Sequence, residues 1–510
     1  VPESGFAWRR IARRASISPQ GFAFSLLSLL FLINTPWLHG LCERAGDYAL
    51  ILLQTDRASE FQALEGAYSR FHFRHPAPTY FYWYALLSPL FFWTNSAQGA
   101  VAGCQFLLNA LFLWGTVNAL GKSLPQESRA ALAPYCLTIL SLFLCLAQSP
   151  DFLFDPWGPV TVVLPFLAAL VGLSVLSSGN NSALFLTAAG SVFSVSNHVS
   201  TAFILIPLSL LSMALARTAP KMRRIRATRT QIAGTVLIVI LPTIPVIIES
   251  FSSPGGGNVT DLWNFFLYSP PSSSRPLYEV FEYLSQYFIL AFGAAAGPAS
   301  IGFTAAIVAV ALYTSYRTEA VLKNLVWLSC AALFGMVFIA RAMPGKLHSY
   351  VLLYAAAIVA SMLTVVATTL LSRLAITRTI PASRIGTWLS IVFGTILLCT
   401  SYQTARACGG KYGNLLHQLS VAPGTPIQVS PPSAQAWIPF ATLTSLMYRK
   451  GYSPCVEPEW EFMFTSALVC KESPLQKITV GTKRDMAGVD SSAHFSGDLV
   501  ALKTSRTATN

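Results

Sequence analysis

PTYFYWYALLSPLFFW, residues 78–93, is the stretch that decides how this chain threads a bilayer. It is apolar and aromatic, but short, and Pro89 interrupts it. A helix needs roughly 20 apolar residues to cross a ~30 Å hydrocarbon core, whereas Tyr and Trp favour the headgroup level. Read as a crossing helix, the segment puts the basic stretch RTAPKMRRIRATRT (217–230) outside. Read as an interfacial segment, it puts that stretch in the cytoplasm. Arg9, Arg10, Arg13, Arg14, Lys122, Arg129, Arg317, Lys323, Arg373, Arg378 and Arg384 then lie there too. Short cytoplasmic loops collect Lys and Arg, so the interfacial reading is the expected one. Fusing residues 182–216 into one helix would restore the other parity, but that helix would run roughly 50 Å, too long for one crossing.

On either side of this segment lie apolar runs at 21–40, 98–120, 130–148, 158–177, 182–197, 200–216, 231–248, 289–313, 324–340, 349–371 and 385–402. The expected fold is therefore an all-α polytopic membrane protein of about 11 transmembrane helices plus an interfacial segment. Composition agrees: 53% of the 510 residues are hydrophobic and 11% charged, whereas a soluble domain carries about 25% charge. The net charge of +13 does not point to nucleic acid, because the cations sit in short loops and no basic stripe is interleaved with exposed aromatics. The run at 21–40 is longer than a signal-peptide core and no small-residue cleavage site follows it. A retained first span with a cytoplasmic N-terminus is expected.

This threading gathers the loop 41–97, the link DFLFDPWGP (151–159), residues 249–288, the link RAMPGKLHSY (341–350) and everything after Tyr402 on one outer side. Residues 1–402 read as a transmembrane module and 403–510 as a small extracytoplasmic α/β domain. In the latter, TPIQVS (425–430) and SALVCKE (466–472) read as strands. AWIPFATLTSLMYRKG (436–451) reads as a helix closed by Gly451, and the polar stretch from about 480 reads as poorly ordered. Five of the nine cysteines, Cys104, Cys136, Cys145, Cys330 and Cys399, lie in apolar runs and are expected to pack there. A Cys455–Cys470 disulfide is expected if the C-terminal domain faces an oxidising compartment.

Chemistry concentrates in the outer loops. Glu43, Asp47, Asp56, Glu60 and Glu65 share the first of them, in a chain with only 21 acids. Asp47 follows the first span closely enough for partial desolvation, which makes a carboxylate a competent general base; it is equally placed to cap a helix starting after Gly46. In YSRFHFRHP (68–76), Arg70, His72, Arg74 and His75 suit a lipid phosphate, or snorkelling toward headgroups. His72 and His75 lack a third ligand, so neither a metal nor any cofactor is assigned. Asp151 and Asp155 flank an outer link. His198, in SVSNHVSTAF, interrupts two apolar runs, where an ionisable residue is a functional candidate or a hydrogen-bonded core histidine. Arg341 and Lys346 add outer cations able to neutralise a phosphate.

With this topology the chain resembles the GT-C superfamily of membrane glycosyltransferases. It is most similar to the lipid-phosphate-sugar-dependent group that includes protein mannosyltransferases and lipid A aminoarabinose transferases. The resemblance rests on GDYA (46–49) in a long first outer loop, HPAPTYFYW (75–83) opening the interfacial segment, and Asp151 or Asp155 after the third span. It extends to bacterial membrane proteins with a YSR…HPGP block, a DPWNP-like link and a QTH-like turn. Here these read YSRFHFRHPAP, DPWGP and SNHVS, with Ala77, Gly158, Ser196 and Asn197 as departures. Better-known members pair two acids in the first loop, where this chain has Asp47 alone. The resemblance implies inverting transfer of a sugar from a polyprenyl-phosphate donor to a glycan, lipid or protein acceptor on the periplasmic face of a bacterial inner membrane. Asp47 would be the base, and the cations at 70–75 with Arg341 or Lys346 would steady the leaving phosphate. The alternative from another class is a transporter or flippase of lipid-linked sugars. Such proteins favour internal repeats and mid-membrane charges, and neither is evident here.

Overall fold

The computed structural model describes residues 17–125, 129–218, 226–253, 256–268, 275–289, 297–373, 411–419, 426–471, 476–486, 493–496 and 498–505, with Trp388, Val392 and Thr395 singly. The helices, in order, are α1 (Pro19–His39), α2 (Asp47–Ser59), α3 (Thr79–Leu87), α4 (Ala97–Ser123), α5 (Ala130–Gln148), α6 (Gly158–Ser177), α7 (Leu184–Asn197) and α8 (Val199–Arg217). They continue as α9 (Arg229–Ser252), α10 (Gly257–Tyr268), α11 (Leu277–Ile289), α12 (Pro298–Ser315), α13 (Ala320–Ala342), α14 (Ala355–Arg373), α15 (Lys411–Gln418) and α16 (Trp437–Arg449). Among the described residues nine are long and apolar enough to cross a membrane: α1, α4, α5, α6, α8, α9, α12, α13 and α14. The chain is thus a polytopic helical membrane protein carrying a small C-terminal sheet region.

The helix in the segment at 78–93 is too short to cross alone. α3 covers 9 residues, about 13 Å at 1.5 Å per residue, and passes at Pro89 into a 3-10 turn over Ser88–Phe91. Residues 182–216 are not one helix either: the backbone leaves helical geometry at His198 (φ −153°, ψ 94°). α7, with 14 residues, spans only about 21 Å. The expected span at 289–313 starts later, at Pro298, and the one at 349–371 starts at Ala355 after a series of turns. The expected span at 385–402 lies, save for Trp388, Val392 and Thr395, outside the described residues.

The chain forms two compact units. The first comprises Val1–Thr35, Gln105–Pro242 and Pro270–Gln403. At its centre is α6, buried along almost its whole length and packed by α7, α8, α13 and α14. A helix enclosed on every side is apolar all round, as VLPFLAALVGLSVLS is. In lipid, apolar side chains gain little by leaving one apolar neighbour for another, so tight packing and small residues hold helices together. Gly190 of α7 supplies this: a Cβ there would stand 2.5 Å from the Pro165 carbonyl oxygen of α6. Hydroxyls add further ties, with Ser212 donating to Leu173 O at 2.8 Å and Asn324 donating to Ser177 Oγ at 2.8 Å. By contrast, no residue in the apolar window of α9 is buried, as suits a helix facing lipid.

The second unit comprises Pro36–Cys104, Thr243–Ser269 and Thr404–Asn510. Among its described residues are five strands, β1 (Pro426–Ser430), β2 (Ser453–Cys455), β3 (Gln476–Thr482), β4 (His494–Ser496) and β5 (Leu499–Ser505), in the order β2-β1-β3-β5-β4. β1 pairs parallel with β2 and β3, while β5 pairs antiparallel with β3 and β4. A parallel pair needs a crossover, and α16 provides it between β1 and β2. One face of α16 lies on the sheet and it also packs on α2, so that Leu50 and Leu53 join Ile427, Phe440, Met447 and Ile478 in one core. The expected strand at 466–472 is absent. Ser466–Leu468 is a 3-10 turn after Thr465 at φ +80°, followed by a lone bridge, Val456 to Val469, and the Cys455–Cys470 disulfide. The stretch expected to be poorly ordered instead supplies β5, whose Leu499, Val500 and Ala501 are buried.

Candidate functional site

In the second unit, residues 66–75 fold back as a hairpin. Ser69 N–H donates to Phe73 O at 2.8 Å and His75 N–H to Ala67 O at 2.8 Å, with a bridge between Tyr68 and Arg74. His72 turns the chain at φ +65°, and its ring lies 4.3 Å from that of Phe462. Asp47 is the first residue of α2, with Gly46 at φ +66° before it. Its carboxylate accepts from the Tyr68 hydroxyl. The hairpin therefore holds the candidate base through a tyrosine two residues before the cations begin.

The cations of the hairpin differ sharply in their surroundings. Arg70 lies over the Phe71 ring at 4.7 Å, and His75 meets the edge of Phe73 at 6.0 Å. Arg74 is 5% exposed. Its guanidinium pairs with Glu65 and donates to the carbonyls of Glu461 and, at 3.0 Å, Phe462. Its backbone is gripped by Asn258, which accepts from Arg74 N–H at 2.8 Å and donates to Arg74 O at 3.0 Å. Burial pushes the Arg74 guanidinium down to about 9, against the pull of Glu461, Glu249 and Asp261. Buried Glu249 accepts from Asn258 N–H at 3.0 Å, in space that only glycine at 257 leaves open. A cavity of about 240 Å³ opens beside this network, lined by His72, Phe73, Asp261, Glu459, Phe462 and the Arg74 pair. Farther along α2, Arg449 bonds Asp56 at 2.8 Å and Glu43 at 2.7 Å; burial still raises the Asp56 carboxyl above its ordinary value.

The first unit holds the other candidates. Asp155 is buried and accepts from Trp157 N–H at 2.9 Å, while Asp151 accepts from Ser149. Asn197 donates to Gly158 O at 3.2 Å and to the Thr161 hydroxyl, so the DPWGP link and the SNHVS turn form one junction. His198 Nδ1 lies 2.8 Å from Ser200 Oγ, which is 2.8 Å from the Tyr354 hydroxyl. Arg341 ends α13 and Lys346 follows in the exposed link, next to Gly345 at φ +69°.

The ten candidates thus fall into two sets, Asp47, Arg70, His72, Arg74 and His75 in one unit and Asp151, Asp155, His198, Arg341 and Lys346 in the other. The sequence reading missed Glu65, Asn258 and Glu461 as partners of Arg74, and Tyr68 as the partner of Asp47. Tyr68 and Glu65 were within reach, being in the same charged loop. Glu461 acts through its backbone carbonyl and Asn258 lies 184 positions from Arg74, so neither was within reach of a local reading. Among the described residues, no three His, Cys, Asp or Glu side chains are grouped to hold a metal.

No family model and no curated protein matches the chain in sequence. Solved structures do match in fold. ArnT from Cupriavidus metallidurans in the apo state aligns over 98% of this chain and 98% of its own, with a TM-score of 0.56 and 10% identity. ArnT from the same organism bound to undecaprenyl phosphate aligns over 94% of this chain and 97% of its own, with a TM-score of 0.54 and 11% identity. From its first helix to its C-terminal sheet, the chain has the fold seen in ArnT.

Proposed function

We propose that this protein is a GT-C-type glycosyltransferase of the bacterial inner membrane, taking a sugar from a polyprenyl-phosphate donor. The observation that carries the reading is the full-length likeness of fold to ArnT, a lipid A aminoarabinose transferase, in a structure that holds undecaprenyl phosphate. It coincides with the group that the motifs of the first loop resemble.

In this reading Asp47 takes the proton of an acceptor hydroxyl as that oxygen bonds to the anomeric carbon of the sugar. The anomeric carbon–oxygen bond breaks on the opposite face, and polyprenyl phosphate leaves with both bonding electrons. Tyr68 keeps the Asp47 carboxylate in one orientation, which matters because a general base must sit within hydrogen-bond reach of its proton. Two sets of cations are candidates for the donor phosphate, where fixed cations stabilise developing charge: Arg70, His72 and His75 in the second unit, or Arg341 or Lys346 in the first. Arg74, wholly engaged within the protein, is assigned to holding the hairpin instead. The acceptor face is assigned to the periplasm. Supporting this, Cys42, Cys455 and Cys470 are oxidised, while Cys104, Cys136, Cys145 and Cys330 are free thiols.

Purified protein given a panel of polyprenyl-phosphate sugars and acceptor lipids is expected to transfer sugar, and Asp47→Asn at equal abundance is expected to lose at least about 100-fold in rate. Full activity in that variant would remove Asp47 as base while keeping the class. Transbilayer movement of labelled donor in vesicles, without sugar transfer, would establish the flippase reading in its place.

A further inference from the structure

The link between α13 and α14 carries Lys346 and is tied down through its backbone and through rings. Tyr283 of α11 donates to His348 O at 2.8 Å and accepts from Leu352 N–H at 3.2 Å. One turn later Tyr287 places its hydroxyl 2.8 Å from that of Tyr283 and 2.5 Å from Ser349 O. Arg275 donates to Met343 O at 3.3 Å. From the other side, the Tyr350 ring packs at 5.1 Å on Trp157 of the DPWGP link and at 5.3 Å on His348. The DPWGP link therefore meets a strap that α11 holds through its backbone.

Residues in irregular backbone inside a membrane protein must have their polar groups answered by the protein. Two hydroxyls at i and i+4 on one face of α11 answer three backbone groups of this strap, at 348, 349 and 352. Nothing in local sequence propensity would hold PGKLHSY in a single shape, since Pro344 and Gly345 favour turns of several kinds. A lysine is a point charge on a flexible stem, so its usefulness to a phosphate depends on where its backbone is fixed.

We infer that Tyr283 is a positioning residue: by pinning the 348–352 backbone it fixes Lys346 for the phosphate of the lipid carrier. This rests on the proposed function. The phenol is not assigned any contact with substrate.

The test is a double-mutant cycle on the full-length protein in nanodiscs, with undecaprenyl phosphate as the probe and its dissociation constant as the readout. Tyr283→Phe, which keeps the ring and removes the hydroxyl that pins the strap, is expected to weaken binding about fivefold. Lys346→Gln is expected to weaken it more. The double variant should bind no worse than Lys346→Gln alone, because the tyrosine acts through the lysine. Amide hydrogen exchange supplies a ligand-free check, in which the Leu352 amide is expected to exchange faster in Tyr283→Phe. Multiplicative losses in the double variant, or equal binding by Tyr283→Phe and wild type, would overturn the inference while leaving the proposed function standing. Absence of lipid-phosphate binding by wild type would overturn the proposed function and the role given to Lys346 together. Unchanged exchange at Leu352 would remove the pin itself, whatever the binding shows.

Discussion

Arg74 shows how burial reassigns a residue whose charge alone suggests another job. Its guanidinium is withdrawn from water and answered by one carboxylate and two carbonyls, so the group serves cohesion. Removing one partner of a buried pair leaves the other uncompensated, and Arg74→Ala is expected to cost about 3–5 kcal/mol in the stability of the second unit. Thermal melting monitored by the near-ultraviolet signal of Trp460, which lies in this core, would measure it. Arg74→Lys should recover little of the loss, because an ammonium on a flexible stem does not reproduce a planar fork. A phosphate ligand would behave in the opposite way, with Lys substituting tolerably and stability unmoved. Asn258 carries a related lesson. Asn-Val-Thr at 258–260 has the form of a glycan acceptor, yet this side chain is 5% exposed and both its polar ends are engaged.

At the scale of elements, the disulfide and the sheet it borders give a second measurable quantity. Cys455 and Cys470 are separated by 15 positions, and closing a loop of that size is worth about 3 kcal/mol in the chain-entropy account. Replacing both by serine is therefore expected to lower the unfolding midpoint of the C-terminal sheet, read as a shift in denaturant midpoint at unchanged slope. The same region shows what period and composition reveal and what they hide. β1 and α16 were legible because each carries its own pattern, alternation in PIQVS and a closed helical face ending at Gly451. β2 is three residues long, too short for any period to register. SALV at 466–469 has strand composition but follows a left-handed Thr465, and its needs are met by one bridge and one disulfide. β5 was hidden by the polar residues around it, since pairing with β3 rather than hydropathy makes it a strand. In the helical part, nine of the expected spans correspond to long apolar helices and the one at 182–197 does not, while the turns at 350–354 were absorbed into a span because Val351, Leu352 and Leu353 are apolar and buried.

For the whole molecule, the sequence pointed to the ArnT-like fold through the order and placement of weak motifs, with hydropathy setting the frame. Asp155, Asn197 and Gly158 belong to motifs visible in the sequence, but that they form one junction depends on how α6 crosses α7. The proposed orientation has a direct check. A reporter enzyme active only in the periplasm is expected to be active when fused after residue 505. A fluorescent protein that matures only in the cytoplasm is expected to be bright when fused to the N-terminus. The reverse pattern would invert the assignment of every outer loop. The Arg74 network carries one more consequence, which concerns time. Arg74 and the Glu461 carbonyl it binds are 387 positions apart, so at 5–20 residues per second the latch waits on the order of 20–80 s for its second half to be made. A chain broken off by a premature stop before that point retains all the residues of the first loop and cannot fasten it. Membrane proteases that survey loose segments would then encounter an unfastened hairpin in every copy that stops before Glu461.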